Sequence, residues 1–110
     1  MIEGLLIVSN STAADGFKCD FNGGGATATT FNVAATVVGS VVAGTVVTSS
    51  LSGALNWTTT TGTDYIYIRG YFRCNAAGTL IFRAATNTTV SGTMTLAAGS
   101  WISLRRTGRV

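Results

Sequence analysis

Apolar and polar residues alternate one by one from Tyr65 to Cys74. One set reads Tyr65, Tyr67, Arg69, Tyr71, Arg73; the other reads Ile66, Ile68, Gly70, Phe72, Cys74. A period of two is that of a strand, whose side chains point to opposite faces in turn. The segment therefore predicts a sheet with one apolar face and one wet or partner-facing face. Residues 99–105 repeat the pattern, with Ile102 and Leu104 on one side and Trp101, Ser103 and Arg105 on the other. Phe17, Cys19 and Phe21 alternate with Lys18 and Asp20, and Phe31 and Val33 share one face of a Thr-rich run.

Turn residues cut this alternation into short pieces. Strands are predicted over residues 4–9, 17–21, 26–38, 41–48, 55–59, 65–75, 79–85, 93–96 and 100–105. Turns or loops are expected at 10–16, at Asn22-Gly23-Gly24-Gly25, near Gly39-Ser40, and at 49–53, 60–64, 76–78, 86–92 and 97–99. No stretch carries a helical apolar period with caps. Eight to ten short strands with turn signals every 8–12 residues predict an all-β fold, an antiparallel two-sheet sandwich of jelly-roll type. No linker or repeat divides the chain, so residues 1–110 read as one domain. The expected inward residues are Ile66, Ile68, Phe72, Leu80, Phe82, Ile102 and Leu104, with Phe17 and Phe21.

Composition adds a surface problem. Charged residues make up 10% of the chain, against about 25% in ordinary domains. Threonine and serine must cover the exterior instead, and threonine suits strands. There is no proline, so sheet edges have few guards. The valine-rich segments 37–42 and 45–47 are an aggregation hazard if left open, and the expected remedy is a partner that covers them. The net charge of +3 says little about partners. Cys19 and Cys74 fit no metal or redox spacing. Both read as buried small hydrophobes, and whether they are bonded stays open. Met1 is followed at once by Glu3 and a short strand, so no leader is expected, and no apolar run is long enough for a membrane span. Sequons at Asn10, Asn56 and Asn87 are what chance gives in a Thr-rich chain.

The residues for catalysis are missing. The chain has no histidine, which removes the commonest general base and metal ligand. The four carboxylates are Glu3, Asp15, Asp20 and Asp64. They read as exposed turn and strand residues, not as a glycosidase pair or a calcium cage. Gly23-Gly24-Gly25 has no following Lys-Ser/Thr and opens no helix, so it is no phosphate cradle. The expectation is a protein that is not an enzyme, with no cofactor and no metal. The candidate binding surface is Tyr65, Tyr67, Arg69, Tyr71 and Arg73, with Arg83 and Arg105. Tyrosine and arginine are enriched at subunit interfaces. The same set serves equally as a solvated face or, less favoured, as a platform for nucleic acid. Trp57, Trp101 and the tyrosines also suit stacking on sugar rings. Arg105, Arg106 and Arg109 form a short basic tail that is solvated or meets an acidic neighbour.

Five motifs carry a family resemblance: Trp57-Thr58-Thr59-Thr60, Ile66-Tyr67-Ile68-Arg69-Gly70, Ala77-Gly78-Thr79-Leu80, Ala84-Ala85-Thr86-Asn87-Thr88 and Ala98-Gly99-Ser100-Trp101-Ile102-Ser103-Leu104. Over roughly the second half, the chain resembles a small β-domain of phage and prophage virion proteins, found at tail-fibre ends and in short structural proteins. The resemblance implies a jelly-roll-like sandwich, assembly as a homotrimer and no catalysis. It transfers no binding residue, because the matching positions are turn glycines and core apolars. The chain starts almost at its first strand with no shaft ahead of it. That favours a capsid decoration (cement) protein or head-fibre knob on the virion exterior, docked on other virion proteins such as the major capsid protein. The alternative is a tail-fibre tip or a carbohydrate- or receptor-binding module, with a host glycan as ligand.

Overall fold

In the computed structural model, residues 1–12, 16–38, 44–57, 62–87 and 92–105 are described. Among them the alternation becomes nine strands and no helix: β1 (Ile2–Asn10), β2 (Phe17–Gly24), β3 (Thr27–Val38), β4 (Gly44–Thr48), β5 (Leu55–Trp57), β6 (Gly62–Ala76), β7 (Thr79–Ala85), β8 (Met94–Leu96) and β9 (Trp101–Leu104). The larger sheet runs β4-β3-β6-β1, with β8 and β9 both on the far edge of β1. The smaller runs β5-β2-β7. Paired strands are antiparallel throughout both sheets. The two sheets pack face to face as a β-sandwich.

Between the sheets lie Ile2, Leu6 and Val8 of β1, Phe17, Cys19 and Phe21 of β2, Phe31, Val33, Ala35 and Val37 of β3, Leu55, Ile66 and Ile68, all buried. Phe72, Leu80, Phe82, Met94 and Ile102 pack against them half-buried. Phe21 ties the layers together. Its ring lies 5.4 Å from that of Phe82 beside it and 6.2 Å from that of Phe31 in the opposite sheet. The chain crosses between sheets after β2 and after β6 at the same end. There Gly25 takes a φ of +97°, open to glycine without strain. A Cβ on Gly78 would strike the backbone of Gly25 and Ala26, so the two crossings touch.

β8 and β9 behave as one interrupted strand along β1. Residues 97–100 bulge out between them, closed by Ser100 N–H donating to Ala97 O at 3.2 Å, with Gly99 at φ +96°. Ala97 N–H donates to Ile7 O at 2.8 Å. Ile7 N–H donates to Ser100 Oγ at 2.9 Å, and that hydroxyl donates to Ala97 O at 2.8 Å. The serine side chain thus fills the gap in the ladder. We predict that Ser100→Ala leaves the part-buried Ile7 N–H unsatisfied and costs about 1–3 kcal/mol. Urea unfolding checks this, and Ser100→Thr should restore most of the loss.

Several expectations need correcting. Asp64 is fully buried, opposite Val8. It shares the parity of Ile66 and Ile68, and β6 begins at Gly62, inside the stretch expected to be a turn. β1 likewise extends to Asn10, which is buried and donates from Nδ2 to Gly16 O at 3.2 Å. Gly23 and Gly24 continue β2 in register with Leu80 and Thr79, so the corner waits until Gly25. Cys74 is exposed, and both thiols are free. The register of β3 on β6 shifts at Ala28 and Thr30, and β6 there has outrun β1, which ends opposite Gly70. Leu104 points inward but stays 54% exposed, because a three-stranded sheet does not reach across a wider one. The expected turn at Gly39-Ser40, strand residues 41–43 and Asp15 lie outside the described residues, as do Arg106 and Arg109.

Candidate functional site: the outer face of the larger sheet

Register brings the predicted surface together. On β6, Tyr65, Tyr67, Arg69, Tyr71 and Arg73 all face outward and are exposed. Antiparallel pairing then adds neighbours that the single strand did not reveal. Thr45, Thr36, Tyr67, Leu5 and Trp101 form one row across five strands. The hydroxyls of Thr36 and Thr45 lie 3.0 Å apart in it. Val47, Ala34, Arg69, Glu3 and Ser103 form the next row. Val38, Tyr65 and Ile7 flank the first row on its other side. At about 4.8 Å per strand, Tyr67 and Trp101 stand roughly 10 Å apart with Leu5 between them.

The face is apolar beyond what alternation requires. Tyr67 is 51% exposed, Trp101 49% and Val47 65%, and Tyr65, Tyr71 and Val38 are similar. Strand β1 is the clearest sign. Ile2, Leu6 and Val8 point inward while Leu5 and Ile7 point outward, so both faces of a central strand are greasy. Such a run is the signature of a strand covered on both sides. The sequence carried that signal in residues 5 and 7, but reading the segment only as a first strand missed it. Charge is sparse here. Glu3 pairs with Arg105 at 3.1 Å. Arg69 and Arg73 are exposed and form no ion pair among the described residues.

Trp57 does not join this face. It ends β5 opposite Phe17, in the smaller sheet. Arg83 is also on that sheet, where it grips Asp20 through Nε at 2.8 Å and Nη2 at 2.5 Å. The hydrogen bonds from Asp20, with its charge, raise the pKa of that guanidinium further. The pair borders a shallow depression of about 300 Å3 with Lys18, Cys19, Ala54, Ala84 and Ala85. The depression offers little chemistry. Its thiol, that of Cys19, is buried, and burial with help from nearby Asp20 pushes it up to about 12. It stays protonated and inert at neutral pH. Among the described residues no three His, Cys, Asp or Glu side chains gather as a metal site.

The Cys19 shift has a measurable consequence. The folded thiol titrates near 12 and the unfolded one near 9. Above pH 9 the unfolded chain therefore holds fewer protons, and stability falls as pH rises toward 12. The full contribution is present below pH 9. We predict that between pH 9 and 11 the wild type loses up to about 1.4 kcal/mol per pH unit more than Cys19→Ala does. Urea midpoints across that window test this. A thiol reagent at pH 8 should modify one of the two cysteines, Cys74, in native protein.

No family model matches the chain, and neither a curated protein nor a solved structure matches it.

Proposed function

We propose that this chain is a non-catalytic structural subunit of a phage virion, assembled with copies of itself as a trimer on the particle's outer surface. The observation that carries the self-assembly is the outer face of the larger sheet. It places four half-exposed aromatics and two exposed valines over a central strand that is apolar on both sides. A monomer would leave this patch in water, and apolar patches of such extent mark interaction sites. Burying it releases about 25 cal/mol per Å2 of apolar area. Tyr, Trp and Arg are the residue types that interface centres favour. The virion setting rests on the motif resemblance in the second half of the chain, and the β-sandwich architecture agrees with what that family builds.

Within this reading the chain is a capsid decoration protein or a head-fibre knob, docked on capsid or other virion proteins. Labelling the protein on intact particles tests it. Density over the shell at its symmetry axes supports decoration, density at a fibre's distal end supports the tail-fibre tip, and no particle association counts against a virion role altogether. A glycan-binding role has one specific observation in its favour, the Tyr67–Leu5–Trp101 row, whose rings lie open on a flat sheet. A glycan array with the purified protein decides that alternative.

A further inference from the structure

Strand β7 is an open edge of the smaller sheet. It pairs with β2 in unbroken register from Thr79 to Ala85. Past the corner at Thr79, where Gly25 also bridges, no described strand meets its other side. Residues 80–85 leave about 20 Å of free edge. Nothing on β7 guards it. The strand carries no proline, lysine or bulge, the usual devices against strand addition. Its one charge, Arg83, is turned back onto β2 by the hydrogen bonds to Asp20 at 2.8 and 2.5 Å.

The layer also ends early there. β5 lies against β4, and Phe21 of β2 against Phe31 of β3. β7 therefore falls opposite β6 and β1, whose Ile66, Ile68, Leu6 and Val8 are covered. No described strand lies opposite β8 and β9. Leu96 and Leu104 hold inward positions on them, beside Val8 and Ile2 of β1, yet are 45% and 54% exposed. Bare backbone and uncovered leucines together form a step one strand wide. A strand added to β7 would bond to the first and turn alternate side chains toward the second.

Charge and shape choose the occupant. A guanidinium has five N–H donors, and Asp20 takes two of those on Arg83. The Arg83 side chain is 53% exposed, so the remaining donors stay open to a carboxylate on the next strand. A second copy's β7 does not suit the step. Paired antiparallel about a two-fold axis, it would push its own β8 and β9 into the same space. Paired parallel, it would set Arg83 beside its own counterpart, and like charges in direct cross-strand contact are destabilising. A lone extended segment brings no second layer with it. We infer that the β7 edge takes an extended segment of a partner protein, apolar at every second position and carrying a carboxylate opposite Arg83, as a fourth strand of the smaller sheet. Main-chain hydrogen bonds then supply affinity, and the alternate side chains supply specificity. The site lies apart from the outer face of the larger sheet, so it neither needs nor blocks the self-assembly proposed above.

A capped, fluorescent peptide of sequence Thr-Val-Glu-Val-Thr-Val-Thr tests this. Laid antiparallel on β7 with its glutamate opposite Arg83, it turns its valines inward. It should bind by anisotropy and slow hydrogen exchange at β7 amides that are open in the free protein. Arg83→Ala should weaken it about 10-fold, yet change little for a peptide with threonine in place of the glutamate. Only alternate N–H groups of an added strand point at β7. N-methylating one alternate set should therefore abolish binding, and methylating the other set should leave it. No binding, equal losses from both methylated peptides, or protection confined to other strands overturns the inference. So does a β7 already protected in a self-assembled oligomer that the peptide splits, since a second copy would then be the occupant. Sedimentation with and without peptide separates the two readings. A monomer that binds the peptide sinks self-assembly alone, and an oligomer that binds none sinks the strand addition alone.

Discussion

Phe21→Ala should lower the thermal midpoint by on the order of 15–25 °C, the largest single-residue effect expected in the core. Phe21 is 2% exposed and meets aromatic partners in both layers, Phe82 beside it and Phe31 across, and through Phe31 it reaches Phe72. Truncating a buried phenylalanine costs about 3–5 kcal/mol, part lost transfer and part cavity. A domain of this kind holds only about 5–15 kcal/mol in total. The loss should be smaller for Phe72→Ala, since Phe72 is half-buried where β6 runs past β1 and has Phe31 as its described ring partner. Urea unfolding of both variants checks the order. Equal losses would mean that the layers are not joined through Phe21.

Trp101→Ala should do the opposite: leave the subunit's own stability within about 1 kcal/mol and weaken assembly by about 30- to 1,000-fold. Trp101 is half exposed on an edge strand, so little packing is lost within the subunit. In an assembly it sits in the row with Leu5 and Tyr67. Desolvated tryptophans at an interface centre commonly carry about 2–4 kcal/mol of the binding energy. Because the contact is mainly apolar, the affinity should change little between low and moderate salt. A steep fall with salt would point to an anionic polymer on Arg69 and Arg73 instead. Sedimentation of wild type and variant at several salt concentrations separates these outcomes.

The sandwich was legible because period-two alternation is strong in β2, β3, β6 and β9, and glycine turns mark the boundaries. The outward set on β6 was legible for the same reason. What escaped the sequence depends on relations between strands. Residues 93–105 read as two separate strands, and nothing local shows that both lie on one edge of β1 with Ser100 filling the gap. Leu5, Ile7, Val38 and Val47 join the face only through register. Leu104 and Cys74 have inward parity, but parity gives direction and not cover. Cover depends on how far the opposite sheet reaches and where a bulge shifts the ladder. Asp64 was misjudged from its chemistry, although its parity with Ile66 already placed it inside.

The account depends most on the greasy outer face being an interface. Sedimentation equilibrium of the wild-type chain from low to high micromolar concentration measures this directly. The account predicts a discrete multiple of 11.3 kDa, three on the proposed assembly, that dissociates on dilution. A well-folded chain that holds the mass of one copy across the whole range would contradict it.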